Sequence, residues 1–236
     1  MLQINNFYKS YDGKVFACEN VSLSIEAGDI YGFIGHNGAG KTTLLRSIAG
    51  ILDFDKGNII VNGHDVKTDS LAAKRELAYI PDNPEIYDSL KGIQYLDFIA
   101  DVFKVDAATR KTRIEKYAKL FEMDAVLNNP IGSYSHGMKQ KIVIISALIH
   151  NPKVMILDEP FVGLDPKASY LLKEVFHELC KEGAAIFFST HILEVAEKLC
   201  NKVAIIKKGK IIASGDTFSI TKDQSLENLF LELTAL

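Results

Sequence analysis

The chain has 236 residues, 47% apolar and 24% charged, enough for one large domain or two small ones with a substantial core. Its net charge of −3 and pI of about 6.1 leave no basic surplus, which argues against nucleic acid as the main partner. Its three cysteines are widely spaced and lack a metal-ligand pattern, so we expect reduced, mostly buried thiols in a cytosolic protein.

The first elements predicted along the chain are short strands. Their apolar residues either alternate with polar ones or form short buried runs, and Asn62-Gly63 is typical of a tight turn. We predict these strands at Leu2–Ile4, Phe16–Ala17, Val21–Ile25, Ile30–Ile34, Asn58–Val61 and Leu77–Ile80.

A glycine-rich loop interrupts this series. Residues 35–42 read G-H-N-G-A-G-K-T, a complete G-x-x-x-x-G-K-[ST] phosphate-binding loop between a strand and a helix predicted at 43–49. Its backbone N–H groups can wrap nucleotide phosphates, Lys41 can reach the β- and γ-phosphates, and the Thr42 hydroxyl can hold Mg²⁺. An ordinary glycine-rich turn is the alternative, and the length and setting of the motif argue against it. The residues expected to bind the nucleotide here are Gly35, Asn37, Gly38, Ala39, Gly40, Lys41, Thr42 and Thr43.

From about Gly92 to Ile149 apolar residues recur at helical spacing without a convincing strand, so we predict a helical region at about 92–150. Its longest apolar stretch, Ile142–Ile149, is too short to cross a bilayer, so another chain would supply any membrane span. Strand–helix alternation then returns, which indicates a parallel or mixed sheet covered by helices. We predict strands at 154–157, 185–189 and 202–206, helices at 166–181, 192–199 and 225–233, and a hairpin tip at the lysines around Gly209.

Two acids follow the predicted strand at 154–157. A buried parallel strand delivers the residues at its carboxyl end to the ligand crevice of an open α/β sheet. There Asp158 can hold the hydration shell of Mg²⁺, and Glu159 can orient and deprotonate a water. A strand that runs into an exposed acidic turn is the alternative, and the phosphate loop upstream favours the catalytic interpretation.

Several further segments resemble those of one family. Tyr134-Ser135-His136-Gly137-Met138 stands where the ATPases of ABC transporters carry their LSGGQ signature, and Gly163-Leu164-Asp165 resembles their D-loop. His191 resembles their switch histidine, and Tyr11 resembles the aromatic residue that stacks on adenine. Over nearly its full length, the chain is similar to the ATP-binding subunit of an ABC transporter. For the adenine contact, Tyr8 and Phe16 are the nearby alternatives.

The resemblance implies an α/β fold of the P-loop NTPase, ABC ATPase type: a mixed sheet core, a small antiparallel β part and a helical insertion, in a single domain over residues 1–236. It also implies an ATPase that uses ATP and Mg²⁺ and closes as an ATP-induced head-to-tail homodimer. Ser135 would offer its hydroxyl and a helix N-terminus to the γ-phosphate, a plain helix cap being the alternative. Each site would take Lys41, Thr42, Asp158, Glu159 and His191 from one copy and Ser135, Gly137 and Asp165 from the other.

Two segments depart from the family pattern. The signature segment lacks the usual Leu, first Gly and Gln, but Ser135 and Gly137 remain, so we expect its phosphate contact to remain. The segment Tyr79–Pro84 resembles the Q-loop, with Asp82 where a glutamine normally approaches Mg²⁺ and the attacking water. Asp82 is one methylene shorter and cannot donate a hydrogen bond, so we expect it to serve catalysis through a metal-bound water.

Segments 134–141, 191–200 and 225–233 resemble ABC-2-type exporter ATPases, including drug and peptide-antibiotic exporters. This implies export through a separate membrane permease that holds the cytoplasmic chain at the inner face of the cell membrane, without nucleic acid as partner. In the family, a groove between the Q-loop and the helical region receives a short permease helix. We expect Ile86, Tyr87, Leu90, Ile93 and Tyr95 to line that groove.

Two other functions remain open at this point. A soluble ABC ATPase that acts on ribosomes or DNA usually has twin cassettes or long coiled-coil insertions, and this chain has neither. A non-hydrolysing ATP-dependent switch module would not need both Glu159 and His191. Measuring ATP turnover separates the last function from the others.

Overall fold

The computed structural model describes residues 1–222 and 224–235, which form two compact units. The first unit comprises residues 1–79, 153–160 and the described part of 176–236; the second comprises 80–152 and 161–175. In chain order the elements are β1 (Leu2–Ser10), β2 (Phe16–Ile25), β3 (Ile30–Ile34), α1 (Lys41–Ile48), β4 (Lys56–Val61), β5 (His64–Asp65), α2 (Ser70–Glu76), β6 (Leu77–Ile80), α3 (Gly92–Val102), α4 (Ala107–Leu120), α5 (His136–Ile149), β7 (Val154–Asp158), α6 (Pro166–Lys181), β8 (Ala185–Thr190), α7 (Leu193–Leu199), β9 (Lys202–Lys207), β10 (Lys210–Asp216), α8 (Thr217–Thr221) and α9 (Leu226–Ala235).

The N-terminal strands of the first unit form an antiparallel sheet in the order β2-β1-β4-β5. Alternate residues of β1 and β2 are buried, as expected of a sheet with one covered face. The two pieces predicted at 16–17 and 21–25 are one strand, and Asn20 lies between them in the left-handed region with φ 53°. A sequence pattern breaks at such a residue although the hydrogen-bonded ladder continues, which explains the split prediction.

The second sheet has the order β10-β9-β3-β8-β7-β6. Its central pairs, β9-β3, β3-β8 and β8-β7, are parallel, while β10 is antiparallel to β9, so the predicted mixed sheet is confirmed. Every residue of β3, β7 and β8 is buried, which explains their continuous apolar sequences. Phe33 and Phe187 pack against each other in this core with ring centroids 5.4 Å apart.

The second unit is mainly helical. Helix α5 packs against both α3 and α4, and most of its residues are buried. Helix α6 begins in this unit and ends in the first. The placement of the whole chain in a single domain stays a prediction. None of the helices in the described part of the chain combines the length and the apolar character that a bilayer crossing requires.

Some short elements escaped sequence reasoning. Helix α2 buries only Ala73, so it lacks a helical apolar stripe, and α8 and β5 are too short to show one. The cysteines carry free thiols, as expected, with Cys18 and Cys200 buried and Cys180 partly buried.

Candidate active site

Three parallel strands of the first unit end at the same edge of the sheet. Ile34, the last residue of β3, pairs with Thr190 of β8, and Asp158, the last residue of β7, pairs with Ser189 of β8. The phosphate loop, the acid pair and His191 each follow one of these strand ends. The sheet therefore brings together the loop, the acids and the histidine that lie far apart in sequence.

Close backbone packing shapes the phosphate loop. Gly40 has φ 110°, and a Cβ atom on it would lie 2.3 Å from the carbonyl oxygen of Ala17. The Gly209 N–H donates to the Ala39 carbonyl over 3.0 Å, and the Cys18 thiol donates to the Gly40 carbonyl over 3.4 Å. Burial raises the pKa of Cys18 to about 12, so this thiol keeps its proton. The loop is thus held from strand β2 and from the β9–β10 turn.

Lys41 lies near the end of the phosphate loop, and its side chain reaches back to the start of that loop. Its Nζ atom donates to the Gly35 carbonyl over 2.6 Å and lies 3.6 Å from Oε1 of Glu159. Both side chains are largely buried, at 7% and 14% exposure. This ion pair joins the phosphate loop directly to the second acid.

Asp158 is the buried centre of a hydrogen-bonded chain. The Thr42 hydroxyl donates to its Oδ2 over 2.6 Å, and the Ser189 hydroxyl donates to its Oδ1. The carboxylate is 1% exposed, so these bonds replace the water that it loses on burial. Thr42 and Asp158 together present an oxygen-only donor set of the kind that Mg²⁺ prefers.

Glu159 has an unusual backbone. Its φ of 48° lies in the left-handed region, and its N–H donates to both the carbonyl and the hydroxyl of Ser189, over 3.2 and 3.1 Å. Its carboxylate lies 3.0 Å from Nδ1 of His191. A non-glycine residue in this region carries strain of about 1–3 kcal/mol, which is frequent at functional sites. The turn aims Glu159 away from the strand and towards Lys41 and His191.

Tyr11 extends from the β1–β2 connection of the same unit. Its side chain is 68% exposed, and its hydroxyl lies 3.2 Å from Oγ1 of Thr43 at the end of the phosphate loop. The alternatives, Tyr8 and Phe16, pack edge to face against each other at 5.6 Å. Tyr11 thus has an accessible ring beside the loop, whereas Tyr8 and Phe16 are engaged with each other.

The signature and D-loop residues lie in the second unit. Exposed Ser135 caps α5 by accepting a hydrogen bond from the Met138 N–H over 3.3 Å. A Cβ on Gly137 would lie 2.8 Å from the Gly163 carbonyl, so the signature and the D-loop touch within one chain. Asp165 accepts from the Ala168 N–H over 2.8 Å, and its pairing with Lys141 at 2.9 Å lowers its pKa.

Asp82 is exposed in the second unit, and its Oδ1 accepts a hydrogen bond from the N–H of the next residue, Asn83, over 2.9 Å.

The residues expected to line the permease groove are only partly where the sequence predicted them. Tyr87 is 65% exposed and Ile86 borders a cavity of about 440 Å³, but Tyr95 is buried with its hydroxyl 3.4 Å from that of Ser146. The Tyr95 prediction is wrong because its position on α3 faces the helical core.

Comparison with known proteins agrees with this geometry. The profile described as "ABC transporter" matches residues 18–162, more than half of the chain. The chain belongs to the ABC transporter family. It is therefore an ATP-binding subunit of that family and an ATPase.

The relatives of this ABC ATPase match most of its length. The ABC-type transporter ATP-binding protein EcsA of Bacillus subtilis (strain 168) is 38% identical, with 92% of this chain and 90% of EcsA covered. The linearmycin resistance ATP-binding protein LnrL of the same organism is 32% identical, with 91% and 69% covered. A solved ATP-binding subunit of an ABC transporter superposes with a TM-score of 0.96 at 32% identity, with 99% of each chain covered.

The ABC ATPase site also uses residues that sequence reasoning missed. Ser189 bonds both acids, and its one signal was a polar residue ending an apolar strand. Gly209 was assigned only to a solvated hairpin tip, yet its N–H and carbonyl join the phosphate loop and β2. In the loop itself, His36 contacts Phe230 of α9 with ring centroids 4.9 Å apart, a pairing that no local pattern reveals.

Proposed function

We propose that two copies of this ABC ATPase close head to tail around two ATP·Mg²⁺ and power export through a separate membrane permease. Each site takes its phosphate loop, acids and histidine from one copy and its signature and D-loop from the other. The observation that carries the ATPase part of the proposal is the network within one chain from Thr42 through Asp158 and Ser189 to Glu159 and His191.

The residues of the first unit fit the groups that the family uses. The glycines at 38 and 40 have φ of 77° and 110°, which leaves backbone N–H groups rather than side chains facing a phosphate chain. Thr42 and Asp158 supply hydroxyl and carboxylate oxygens for Mg²⁺, and bound Mg²⁺ would neutralise developing phosphate charge. The exposed ring of Tyr11 would stack on adenine.

Glu159 is the proposed general base. Its carboxylate would accept the proton of the water that attacks the γ-phosphate. His191 lies 3.0 Å from its carboxylate and fixes its orientation. Lys41, 3.6 Å from Glu159, adds positive charge where the transferred phosphoryl group becomes more negative.

The second half of each site is proposed to come from the partner copy. Ser135 lies at the N-terminus of α5, where backbone N–H groups favour an anion, and it is exposed. Gly137, two residues further along, touches Gly163 of the D-loop, and that loop also carries Asp165. Asp82 is proposed to accept a hydrogen bond from a water that is bound to Mg²⁺.

The permease contact is proposed at the exposed part of the segment 83–90. Tyr87 is 65% exposed, and a large aromatic on a surface loop is the kind of residue that anchors interfaces. The name of the relative LnrL, a linearmycin resistance protein, supports the export direction, and a permease would hold the chain at the inner membrane face.

The test of the composite site compares two serine variants. Ser135→Arg should leave ADP binding unchanged but abolish ATPase activity, because the arginine occupies the γ-phosphate contact and the dimer interface. Ser70→Arg, also an exposed serine but at the start of α2, is the matched control and should keep its activity.

The concentration dependence completes this test. The specific ATPase activity of the wild type should rise with protein concentration, because neither half of the site works alone. An activity that is independent of concentration and is unaffected by Ser135→Arg would contradict the head-to-tail dimer.

A further inference from the structure

The signature segment starts with a buried tyrosine. Tyr134 is 5% exposed, and its hydroxyl donates to the carbonyl of Val126 over 2.8 Å. Burial raises the pKa of this hydroxyl, with the backbone of Gly92 opposing the rise, so it remains a donor at neutral pH. Nothing in the proposed function uses this residue, although it directly precedes Ser135.

The tyrosine hydroxyl occupies a space that only a glycine leaves free. A Cβ atom on Gly92 would lie 2.3 Å from the Tyr134 hydroxyl oxygen and 3.3 Å from the ring carbon that bears it. Gly92 is the first residue of α3 and has no positive φ, so its backbone conformation would accept alanine. The close approach of Tyr134 is therefore what requires glycine at this position.

The space around the hydroxyl lies at a fixed junction of the second unit. The Gly92 N–H donates to Asn129 over 3.3 Å, and the Ile93 N–H donates to Leu127 over 2.8 Å. The start of α3 is thereby tied to the segment that carries Val126. The side chain of Tyr134 fits into this junction and connects it to the first turn of α5.

The N-terminal cap of α5, Ser135, directly follows Tyr134 in the chain. The hydroxyl of exposed Ser135 accepts a hydrogen bond from the Met138 N–H over 3.3 Å, and its carbonyl accepts one from the Lys139 N–H over 2.9 Å. Both bonds lie within the first turn of α5, and neither ties that turn to the start of α3. Its neighbour His136 is also exposed and borders Gly163 of the D-loop. Among these described residues, Tyr134 has the buried side chain that fixes where the exposed signature atoms lie.

We propose that Tyr134 is a positioning residue for ATP hydrolysis: its hydroxyl, seated between Gly92 and Val126, sets the position of Ser135 and of the N-terminus of α5. This inference rests on the proposed role of Ser135 at the partner's γ-phosphate. Because a Cβ on residue 92 would clash with the Tyr134 hydroxyl, removal of that hydroxyl should offset the effect of placing alanine at position 92.

The experiment is a double-mutant cycle with Gly92→Ala, Tyr134→Phe and the combined variant. Gly92→Ala should lower kcat by about 10-fold or more, because its methyl group displaces the tyrosine hydroxyl and with it the signature loop. Tyr134→Phe, which loses the hydroxyl and its bond to the Val126 carbonyl, should lower kcat by a few-fold. The combined variant should recover most of the loss, because removing the hydroxyl removes the 2.3 Å contact. The ring carbon and the Leu127 carbonyl, each 3.3 Å from the Cβ position, leave a smaller residual defect.

Two readouts separate positioning from a general loss of stability. The dissociation constant for ADP should stay unchanged in all variants, because the phosphate loop belongs to the first unit. Urea unfolding of each variant reports the Gly92–Tyr134 coupling within one chain. Asn128→Ala, an exposed position in the segment that carries Val126, is the control and should behave as the wild type.

Two results would overturn the proposal. One is wild-type kcat for Gly92→Ala; the other is coupling in urea unfolding without coupling in kcat, which would make Tyr134 a structural residue only. Failure of the composite site itself shows differently, as a wild-type activity that is independent of concentration and a Ser135→Arg variant that remains active. The two hypotheses can therefore fail separately.

Discussion

The two units present their functional residues in opposite ways. In the first unit, Thr42, Asp158, Ser189, Glu159 and His191 are bonded to one another before any nucleotide is considered. In the second unit, Ser135, Asp82 and Asp165 are exposed, and these side chains contact residues of their own unit: the Met138 and Asn83 N–H groups and Lys141. The first unit therefore holds its polar residues in a connected network within one chain, whereas the exposed residues of the second unit are the ones that we propose to meet a second copy.

Burial explains this difference. An enclosed carboxylate such as Asp158 must be hydrogen-bonded, since leaving it unpaired would cost several kcal/mol. Exposed Ser135 and Asp165 are solvated, and their helix-capping bonds suffice to hold them locally. In the proposed function, the buried network of the first unit serves hydrolysis, and the exposed atoms of the second unit remain available to a second copy.

The largest effect that tests the comparison is the loss of the base in the first unit. Glu159→Gln keeps the shape and removes the proton acceptor, so we expect turnover to fall about 10²–10⁴-fold while ATP still binds. An ATP-bound dimer should then accumulate, which size-exclusion chromatography with ATP detects. Near-wild-type hydrolysis by this variant would mean that the organised network of the first unit is not the catalytic one.

The next largest effect is a loss of unfolding free energy of the second unit at acidic pH. His150 stacks on Phe103 at 3.6 Å, and burial, aided by the nearby Arg113 charge, lowers its pKa to about 4. Its folded pKa lies below the unfolded value of about 6.5, so the unfolded chain binds more protons between these values, and stability falls as the pH drops through that window. From pH 7.5 to 5 this group should remove about 2 kcal/mol.

Urea unfolding of the wild type and of His150→Gln at both pH values checks this effect. The variant should lose less stability on acidification, because its side chain has no proton to gain. Hydrogen exchange should place the acid-sensitive opening in the second unit. Equal pH dependence of the two proteins would show that His150 is not the acid-sensitive group.

The smallest effect tests Asp82 in the exposed region. If Asp82 works through a metal-bound water, Asp82→Gln should keep most of the ATPase activity and Asp82→Ala should lose several-fold, about 1 kcal/mol of transition-state stabilisation. Asn83→Ala, the exposed neighbour, serves as the control. Full activity in both Asp82 variants would make Asp82 a solvated loop residue and remove it from the site.

Local patterns predicted much of the fold. The apolar runs of β3, β7 and β8 and the periodicity of α3 to α5 led to the mixed sheet and the helical region, since burial dictates both patterns. Helix α2 was missed because it buries only Ala73. Tyr95 was misplaced because helical spacing does not tell which face of α3 meets the core.

The candidate site divides along the same line. The loop at 35–42 and the acids at 158–159 are contiguous in sequence, because backbone wrapping of a phosphate and delivery from a strand end each need neighbouring residues. His191, Ser135 and Asp165 were assigned by resemblance, and their roles stay predictions. Ser189, Gly209 and Phe230 left little or no local signal, since each acts on a residue that lies far away in sequence.

From the sequence alone came the phosphate loop, the acid pair, the family and most of the strands and helices, because local backbone geometry and burial leave their pattern in neighbouring residues. Only the tertiary structure decided that Ser189 joins both acids, that Glu159 takes a φ of 48°, and that Gly92 makes room for the hydroxyl of Tyr134. Each of these features depends on contacts between segments that are distant in sequence. Such contacts form only when the chain is packed, and the spacing of residues in the sequence does not encode them.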